Sequence, residues 1–203
     1  MLDSLVADIL SRETMTVGCL GAEAILAALA DNGRNDIAYY LANNTNQGCW
    51  GHWIKEYAST TALETFSDNR SSNNHAFLIG GLSAWFYKHI AGISALQPGY
   101  EKVRIKPFIP HDMNRASAQI QTVRGMVKSS WERSGKQLIF DIVIPPNATA
   151  DVYVPVDNLE SIMYETNSYP FELNMKGSVR QEGNYAIYSV GSGYHNFKVS
   201  SLN

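Results

Sequence analysis

The sequence predicts an α+β protein of two domains, helical over residues 1–95 and an antiparallel β-sandwich over residues 96–203. Two observations support this fold class. Before about residue 95 the apolar residues recur at helical spacing, and after residue 98 they alternate with polar residues in short runs. In addition, 203 residues with 45% hydrophobic and 17% charged content can bury a normal core, and they match neither a disordered nor a membrane-embedded chain.

The apolar spacing in residues 1–95 predicts about five helices. Asp-Asn-Gly at 31–33 ends the second, and Ser59 or Thr60 caps the fourth, in TTALETF. A long loop is expected between Ala42 and Glu56, with two tryptophans and a histidine. The predicted helices cover residues 1–13, 21–30, 36–44 and 60–66, and a fifth runs from Asn73 or Asn74 to Gly92.

The fifth predicted helix carries two adjacent glycines, Gly80 and Gly81. Each costs about 1 kcal/mol relative to alanine in a helix interior, so a reason for them is expected. One interpretation is a close contact with another helix. The other is backbone packed beneath a ligand.

The second half predicts strands separated by turn residues. EKVRIKPFIP, residues 101–110, indicates a strand at a sheet edge or one that ends in a turn, because it contains two prolines. Strand-length runs follow through residue 155, and NYAIYSVGSGYHNFKVS, residues 184–200, predicts a closing hairpin. Short strands in series favour an antiparallel sandwich.

Composition and motifs argue against several classes of protein. A net charge of −3 without a Lys/Arg cluster disfavours nucleic-acid binding, and no apolar run approaches the roughly 18 residues of a membrane span. Cys19 and Cys49 have neither disulfide-framework nor metal-ligand spacing, and no cofactor-binding glycine motif is present. The N-terminus resembles an amphipathic helix rather than a signal peptide, so the cellular location stays unknown.

The residues around Glu64 suggest a sugar site. Trp50 and Trp53 offer rings on which the C–H faces of a pyranose stack, while Glu64, Asn74 and His75 offer hydrogen bonds to its hydroxyls. Glycoside hydrolysis also needs two carboxyl groups across the scissile bond, of which Glu64 would be one.

Each of these residues also has a structural interpretation. Glu64 is explained equally by a surface charge in the first turn of a helix, where the macrodipole favours an acid. Trp50 and Trp53 are explained as core anchors, and His75 as a residue near a helix start. The pattern alone leaves both interpretations open.

Three segments in order resemble the C-terminal part of bacterial α-L-rhamnosidases of glycoside hydrolase family 78. They are TVGCLGAEAILAALADNGRNDIAYYLANN, CWGHWIKEYASTTALETF and SSNNHAFLIGGLSAWFYKHIAGI, followed by strand phrases such as GYEKVRIKP and IPPNATADVYVP. The family pattern has a T-G-x-x-G helix start, an S-W-G loop, a G-A-T-T-x-W-E-x-W segment and S-x-N-H before a long helix. The resemblance implies part of an (α/α)6 barrel followed by a β-sandwich.

The resemblance also implies roles for residues. Glu64 falls on the family's general base, Trp50 on the tryptophan of the S-W-G loop, and His75 on the histidine of S-x-N-H, with Ser72 and Asn74 completing that motif. Four residues depart from the pattern: Leu63 and Phe66 replace tryptophans, Cys49 replaces serine, and Ala76 stands where an aromatic residue is common.

The function implied is a fragment of an inverting α-L-rhamnosidase acting on terminal α-L-rhamnosyl residues of glycosides, without cofactor or metal. Family members are several times longer and carry the general acid in a part with no match here. We therefore expect weak or no activity from this chain alone, and self-association through the helical half. The alternatives are a non-catalytic carbohydrate-binding or interaction module, and a purely structural remnant.

Overall fold

The computed structural model of the protein describes residues 1–66, 72–156, 161–166 and 179–200. The chain divides into two compact units, Met1–Phe86 and Tyr87–Asn203. The domain boundary that the sequence predicts after residue 95 stays a prediction. No helix among the described residues is both long and apolar enough to cross a membrane.

The first unit is helical, as the sequence predicts. Its helices are α1 (Leu2–Arg12), α2 (Cys19–Ala30), α3 (Asn35–Asn43), α4 (Trp50–Tyr57) and α5 (Phe77–Trp85), and a π-helical turn, Phe86–Ile90, follows α5. Helix α2 packs against both α3 and α5, and α3 packs against α4. The side chains that α2 buries are Ala22, Ile25, Leu26, Leu29 and Ala30.

Two of the predicted helix positions are wrong. TTALETF is not helical, because its main chain bonds across a loop: the Glu64 N–H donates to Ser72 O (3.2 Å), and the His75 N–H donates to Ala62 O (2.9 Å). A helix, α4, lies instead where the sequence predicted a loop. The last helix begins at Phe77 rather than at Asn73 or Asn74.

The helix contact predicted at the two glycines is confirmed at Gly81. A Cβ on Gly81 would collide with the main chain of Glu23 in α2, whereas a Cβ on Gly80 would meet nothing within 4 Å. The absence of a side chain at Gly81 therefore allows α5 to approach α2 closely.

The second unit contains two five-stranded sheets, the sandwich-type β architecture that the sequence predicts. The first sheet has the order β1 (Ile93–Ala95), β2 (Lys102–Ile105), β6 (Thr149–Pro155), β9 (Tyr185–Val190), β8 (Val179–Glu182). The second has the order β3 (Arg115–Thr122), β4 (Gly125–Ser134), β5 (Gln137–Ile144), β10 (Gly193–Ser200), β7 (Ile162–Thr166). A 3₁₀ turn, Pro98–Tyr100, precedes β2.

Two strand predictions are corrected. Strand β2 is not at a sheet edge, because β1 lies on one side of it and β6 on the other, and its pairing with β6 is parallel. It does stop at Ile105, ahead of Pro107. The predicted closing hairpin is wrong as well: β9 pairs with β6 and β8, while β10 pairs with β5 and β7. The chain therefore passes from one sheet to the other between Val190 and Gly193.

Strand β5 contributes to the core of the β unit by strict alternation. Along β5 every second residue is buried, from Leu138 to Ile144. Two buried side-chain donors of this unit bond to the main chain: Trp131 Nε1 donates to Ile90 O (2.8 Å), and Ser129 Oγ donates to Ala91 O (2.7 Å). Such pairing is what buried donors require.

Candidate active-site cleft

Glu64 and His75 line one cleft of the helical unit, with a volume of about 440 Å³. The two hydrogen bonds between segments 62–64 and 72–75 fix the loop that carries both residues. Glu64 is partly buried. The lining consists of Val17, Gly18, Cys19, Glu64, Thr65, Phe66, His75 and Leu78.

The two tryptophans lie behind this cleft and are not among its lining residues. Trp50 is 4% exposed and Trp53 is 3% exposed. The Trp50 Nε1 donates to Leu78 O at 2.5 Å, which fixes that indole against α5. Trp53 Nε1 is buried with no hydrogen-bond partner among the described residues. The substrate-binding roles that the sequence predicts for these tryptophans stay predictions.

Phe66 connects the tryptophans to the cleft. Its ring stacks on Trp53 (centroids 4.8 Å apart, planes at 15°) and meets Trp50 edge to face (5.6 Å, 87°). Aromatic pairs in such geometries add about 0.5–1.5 kcal/mol beyond area burial. The cleft therefore presents a phenyl ring that two buried indoles hold in place.

His75 is the imidazole that borders the cleft. Its ring is 5.9 Å from the ring of Phe77, and its Nδ1 is buried without a hydrogen-bond partner among the described residues. An orphaned ring nitrogen gains energy from a bound hydroxyl, which can either donate or accept. Asn74 is exposed and is not among the lining residues, so its predicted role also stays a prediction.

Comparison with known proteins identifies the family. Residues 1–90 match the family model of the bacterial alpha-L-rhamnosidase 6 hairpin glycosidase domain, and residues 92–168 match that of the bacterial alpha-L-rhamnosidase C-terminal domain. An α-L-rhamnosidase of Streptomyces avermitilis is 30% identical over 97% of this chain. The chain belongs to the bacterial α-L-rhamnosidase family.

Further comparisons support the same family. An α-L-rhamnosidase of Formosa agariphila is 30% identical over 80% of this chain. The crystal structure of the Streptomyces avermitilis α-L-rhamnosidase complexed with L-rhamnose superimposes with a TM-score of 0.84 at 28% identity, covering 98% of this chain. The chain spans about a fifth of the length of these relatives: 19% and 18% of the two sequences and 19% of the crystallised chain.

The sequence gives no signal for the contribution of α2 to this cleft. Gly18 and Cys19 stand at the start of that helix, and Val17 precedes them. The T-V-G-C-L-G phrase resembles the family's helix start, but nothing in the phrase indicates that it lines the same cleft as Glu64. Cys19 is exposed there as a free thiol.

The other thiol of the chain, Cys49, is buried and also free. Burial raises the pKa of Cys49, and a contact with the Thr14 hydroxyl (3.6 Å) opposes this rise only in part. The thiol is therefore protonated at neutral pH. Among the described residues, no three His, Cys, Asp or Glu side chains come together as a metal site.

Proposed function

We propose that this chain carries the general-base side of an inverting α-L-rhamnosidase site. The substrate class is a glycoside or polysaccharide with terminal α-L-rhamnosyl residues. The observation that carries the proposal is the placement of Glu64 and His75 on one cleft by two backbone hydrogen bonds. The printed names of the relatives and the complex of one of them with L-rhamnose support the choice of sugar.

In the proposed mechanism, Glu64 accepts a proton from a water molecule that attacks the anomeric carbon. An inverting enzyme needs room for that water, with its two carboxyl groups about 6.5–9.5 Å apart. His75 offers Nδ1 to a sugar hydroxyl, and Asn74, next to it in the chain, adds an amide. Trp50 and Trp53 shape the subsite through Phe66, whose ring faces the apolar side of the sugar.

The second carboxyl group has to come from elsewhere. Of the eight described residues that line the cleft, Glu64 is the one carboxylate. A general acid contributes about 10²–10⁴-fold to the rate. The chain alone is therefore expected to be a weak catalyst or none, and to need a polypeptide that supplies the acid.

A chimaera tests the role of Glu64. This chain replaces the corresponding segment of the Streptomyces avermitilis α-L-rhamnosidase, and release of rhamnose from an aryl α-L-rhamnoside is measured. Glu64→Gln should lower turnover about 10²–10⁴-fold, the range of a general base, while rhamnose binding stays measurable. Glu56→Gln, at an exposed glutamate of α4, is the matched control and should leave turnover unchanged. Equal turnover in the Glu64→Gln chimaera and its parent would remove Glu64 from the mechanism.

A non-catalytic carbohydrate-binding module is the second candidate, and it is favoured because Glu64 is the one carboxylate among the described residues that line the cleft. Calorimetric titration of the chain with L-rhamnose distinguishes the two. Binding that Glu64→Gln leaves intact, together with a chimaera that is inactive in its parent form, would favour the binding module.

We also propose that the helical unit self-associates. Large apolar side chains on three of its helices are exposed: Leu20 (77%), Ile54 (70%) and Phe77 (57%). Exposed apolar patches beyond a few hundred Å² usually mark an interaction surface.

A further inference from the structure

A second pocket, with a volume of about 400 Å³, lies on the β unit. This volume falls within the range of about 300–1,000 Å³ that is typical of small-molecule sites. The residues that line the pocket belong to three adjacent strands of the second sheet, β3, β4 and β5. Its lining consists of Arg115, Ala116, Ser117, Ser130, Trp131, Glu132, Ile139 and Asp141.

The pairing register places a row of polar residues across all five strands of this sheet. Ser117 is opposite Ser130, Ser130 is opposite Asp141, Asp141 is opposite Asn196, and Asn196 is opposite Glu165. Residues directly opposite one another point to the same side of a sheet. Since a sheet face directed at the core would be apolar, this face is turned away from it.

Asp141 is held in one orientation by its neighbours on β10. Its Oδ1 accepts hydrogen bonds from the Tyr194 hydroxyl and from the Asn196 Nδ2, the latter at 2.9 Å. Both donors reach the same oxygen, so Oδ2 keeps its capacity to accept from a ligand. A carboxylate fixed in this way has little conformational entropy left to lose on binding.

Arg115 and Glu132 stand opposite each other on β3 and β4, yet they form no ion pair among the described residues. Both are exposed, so their donors and acceptors remain open to a ligand. The hydroxyl of Ser117 adds a group that can donate or accept. Partly buried Ile139 supplies an apolar surface between the polar groups.

The charge of the pocket limits the chemistry of its ligand. Two carboxylates, Glu132 and Asp141, outnumber the one guanidinium of Arg115, which disfavours an anion. A metal ion is disfavoured too, because no three potential side-chain ligands gather among the described residues. A neutral molecule with several hydroxyls and an apolar C–H face fits this mixture of donors, acceptors and apolar surface.

We propose that this pocket, on strands β3, β4 and β5, binds a neutral saccharide. Asp141 Oδ2 accepts from one hydroxyl, and the Arg115 guanidinium donates to a neighbouring oxygen. Ser117 and Glu132 complete the hydrogen bonds, and the C–H groups of the ring lie on Ile139. The site is independent of the cleft that contains Glu64, and it gives the β unit a binding function of its own.

The test is an amide chemical-shift titration of the whole chain with L-rhamnose, D-glucose and D-galactose in turn. At least one of them should cause saturable shifts at Ser117, Ser130 and Asp141. Arg115→Ala and Asp141→Asn should each weaken that binding about tenfold or more, because each leaves a ligand hydroxyl without a partner. Lys136→Ala, which removes a positive charge in the β4–β5 turn, is the matched control and should leave the affinity unchanged.

Further variants separate this site from the cleft. Glu64→Gln should leave the shifts on β3–β5 unchanged, whether or not it affects rhamnose binding at the cleft. Because Arg115 is exposed, its alanine variant keeps the test valid even if Asp141→Asn fails to fold. The proposal is overturned if none of the sugars causes saturable shifts on these strands, if Arg115→Ala binds as tightly as the parent, or if inorganic phosphate causes the same saturable shifts.

Discussion

Gly81 of α5 lies directly against the main chain of Glu23 in α2, with no space for a Cβ between them. The contact brings together two helices of the unit that carries the candidate cleft, and Cys19 and Leu78 of these helices line it. A change at Gly81 would therefore move the walls of the cleft as well as weaken the packing.

Gly81→Ala should destabilise the helical unit, because a methyl group would force the backbones of α2 and α5 apart. Overpacking of this kind costs about 1–3 kcal/mol of the free energy of unfolding. Gly80→Ala is a matched control in the same helix: its methyl group meets nothing within 4 Å, and alanine favours a helix by about 1 kcal/mol. Urea unfolding followed by circular dichroism should give opposite signs for the two variants. A neutral Gly81→Ala would contradict the close contact.

The buried carboxylate of Asp151 should stabilise the β unit. It accepts from Lys102 Nζ (2.9 Å), Ser189 Oγ (2.8 Å) and Arg180 (3.4 Å), so it connects four strands of the first sheet. Asp151→Asn should cost about 2–3 kcal/mol of unfolding free energy, because two cations lose their counter-ion. Glu101→Gln, at the exposed pair with Arg124, should cost no more than about 1 kcal/mol.

Lowering the pH should remove the stabilisation that Asp151 provides. Burial alone would raise the pKa of Asp151, but the hydrogen bonds from Lys102 and Ser189 outweigh it and the pKa is lowered. The stabilisation is therefore complete above the unfolded pKa of about 4 and is lost as the pH falls through the lower folded pKa. Asp151→Asn should flatten this part of the curve of unfolding free energy against pH. An unchanged curve would show that other carboxylates dominate it.

His195 should make the stability of the protein depend on pH in a higher range. The ring is 1% exposed, and burial lowers its pKa. It is bound in the neutral form, with Nε2 donating to Gly191 O (2.9 Å) and Nδ1 accepting from the Tyr164 hydroxyl (2.7 Å). The unfolded chain takes up the proton first, below about pH 6.5, so stability is present above that pH and decreases as the pH falls.

Imidazole NMR signals check the behaviour of His195 directly. The protonation midpoint of this ring in the folded protein should lie below the ordinary value of a histidine, about 6.5. A midpoint of His195 at or above about 6.5 would contradict the burial effect.

The sequence predicts whether a segment forms a helix or a strand better than it predicts which other elements that segment contacts. The short apolar runs of β9 and β10 identify two strands, but such a pattern is local and does not say which sheet each strand joins. In TTALETF, helix-compatible spacing lost to tertiary hydrogen bonds from the Glu64 and His75 N–H groups, which no local pattern shows. The order of the motifs suggests that Glu64 and His75 lie near each other, and both line the cleft. No pattern in the sequence places Val17 in the same cleft.

Phe66 and Trp53 should differ in their effects on rhamnose binding. Phe66 lines the cleft, so Phe66→Ala should weaken calorimetric binding of L-rhamnose about tenfold through loss of an apolar contact. Trp53→Phe removes a ring that stacks behind Phe66, so it should lower the unfolding free energy more than the affinity. If Trp53→Phe weakens binding as much as Phe66→Ala, the indole itself contacts the sugar.

The exposed apolar side chains of the helical unit should make the chain self-associate as its concentration rises. Leu20, Ile54 and Phe77 are each more than half exposed, and burying such side chains gives about 1.5–3 kcal/mol apiece. Light scattering coupled to size exclusion should show the average mass rising with concentration. Leu20→Ser combined with Ile54→Ser should shift this rise to higher concentration. Val123→Ser, at a residue of the β unit that is 90% exposed, is the matched control and should leave it unchanged. A monomer at every concentration would refute association through the helices. The exposed apolar side chains would then remain in contact with water.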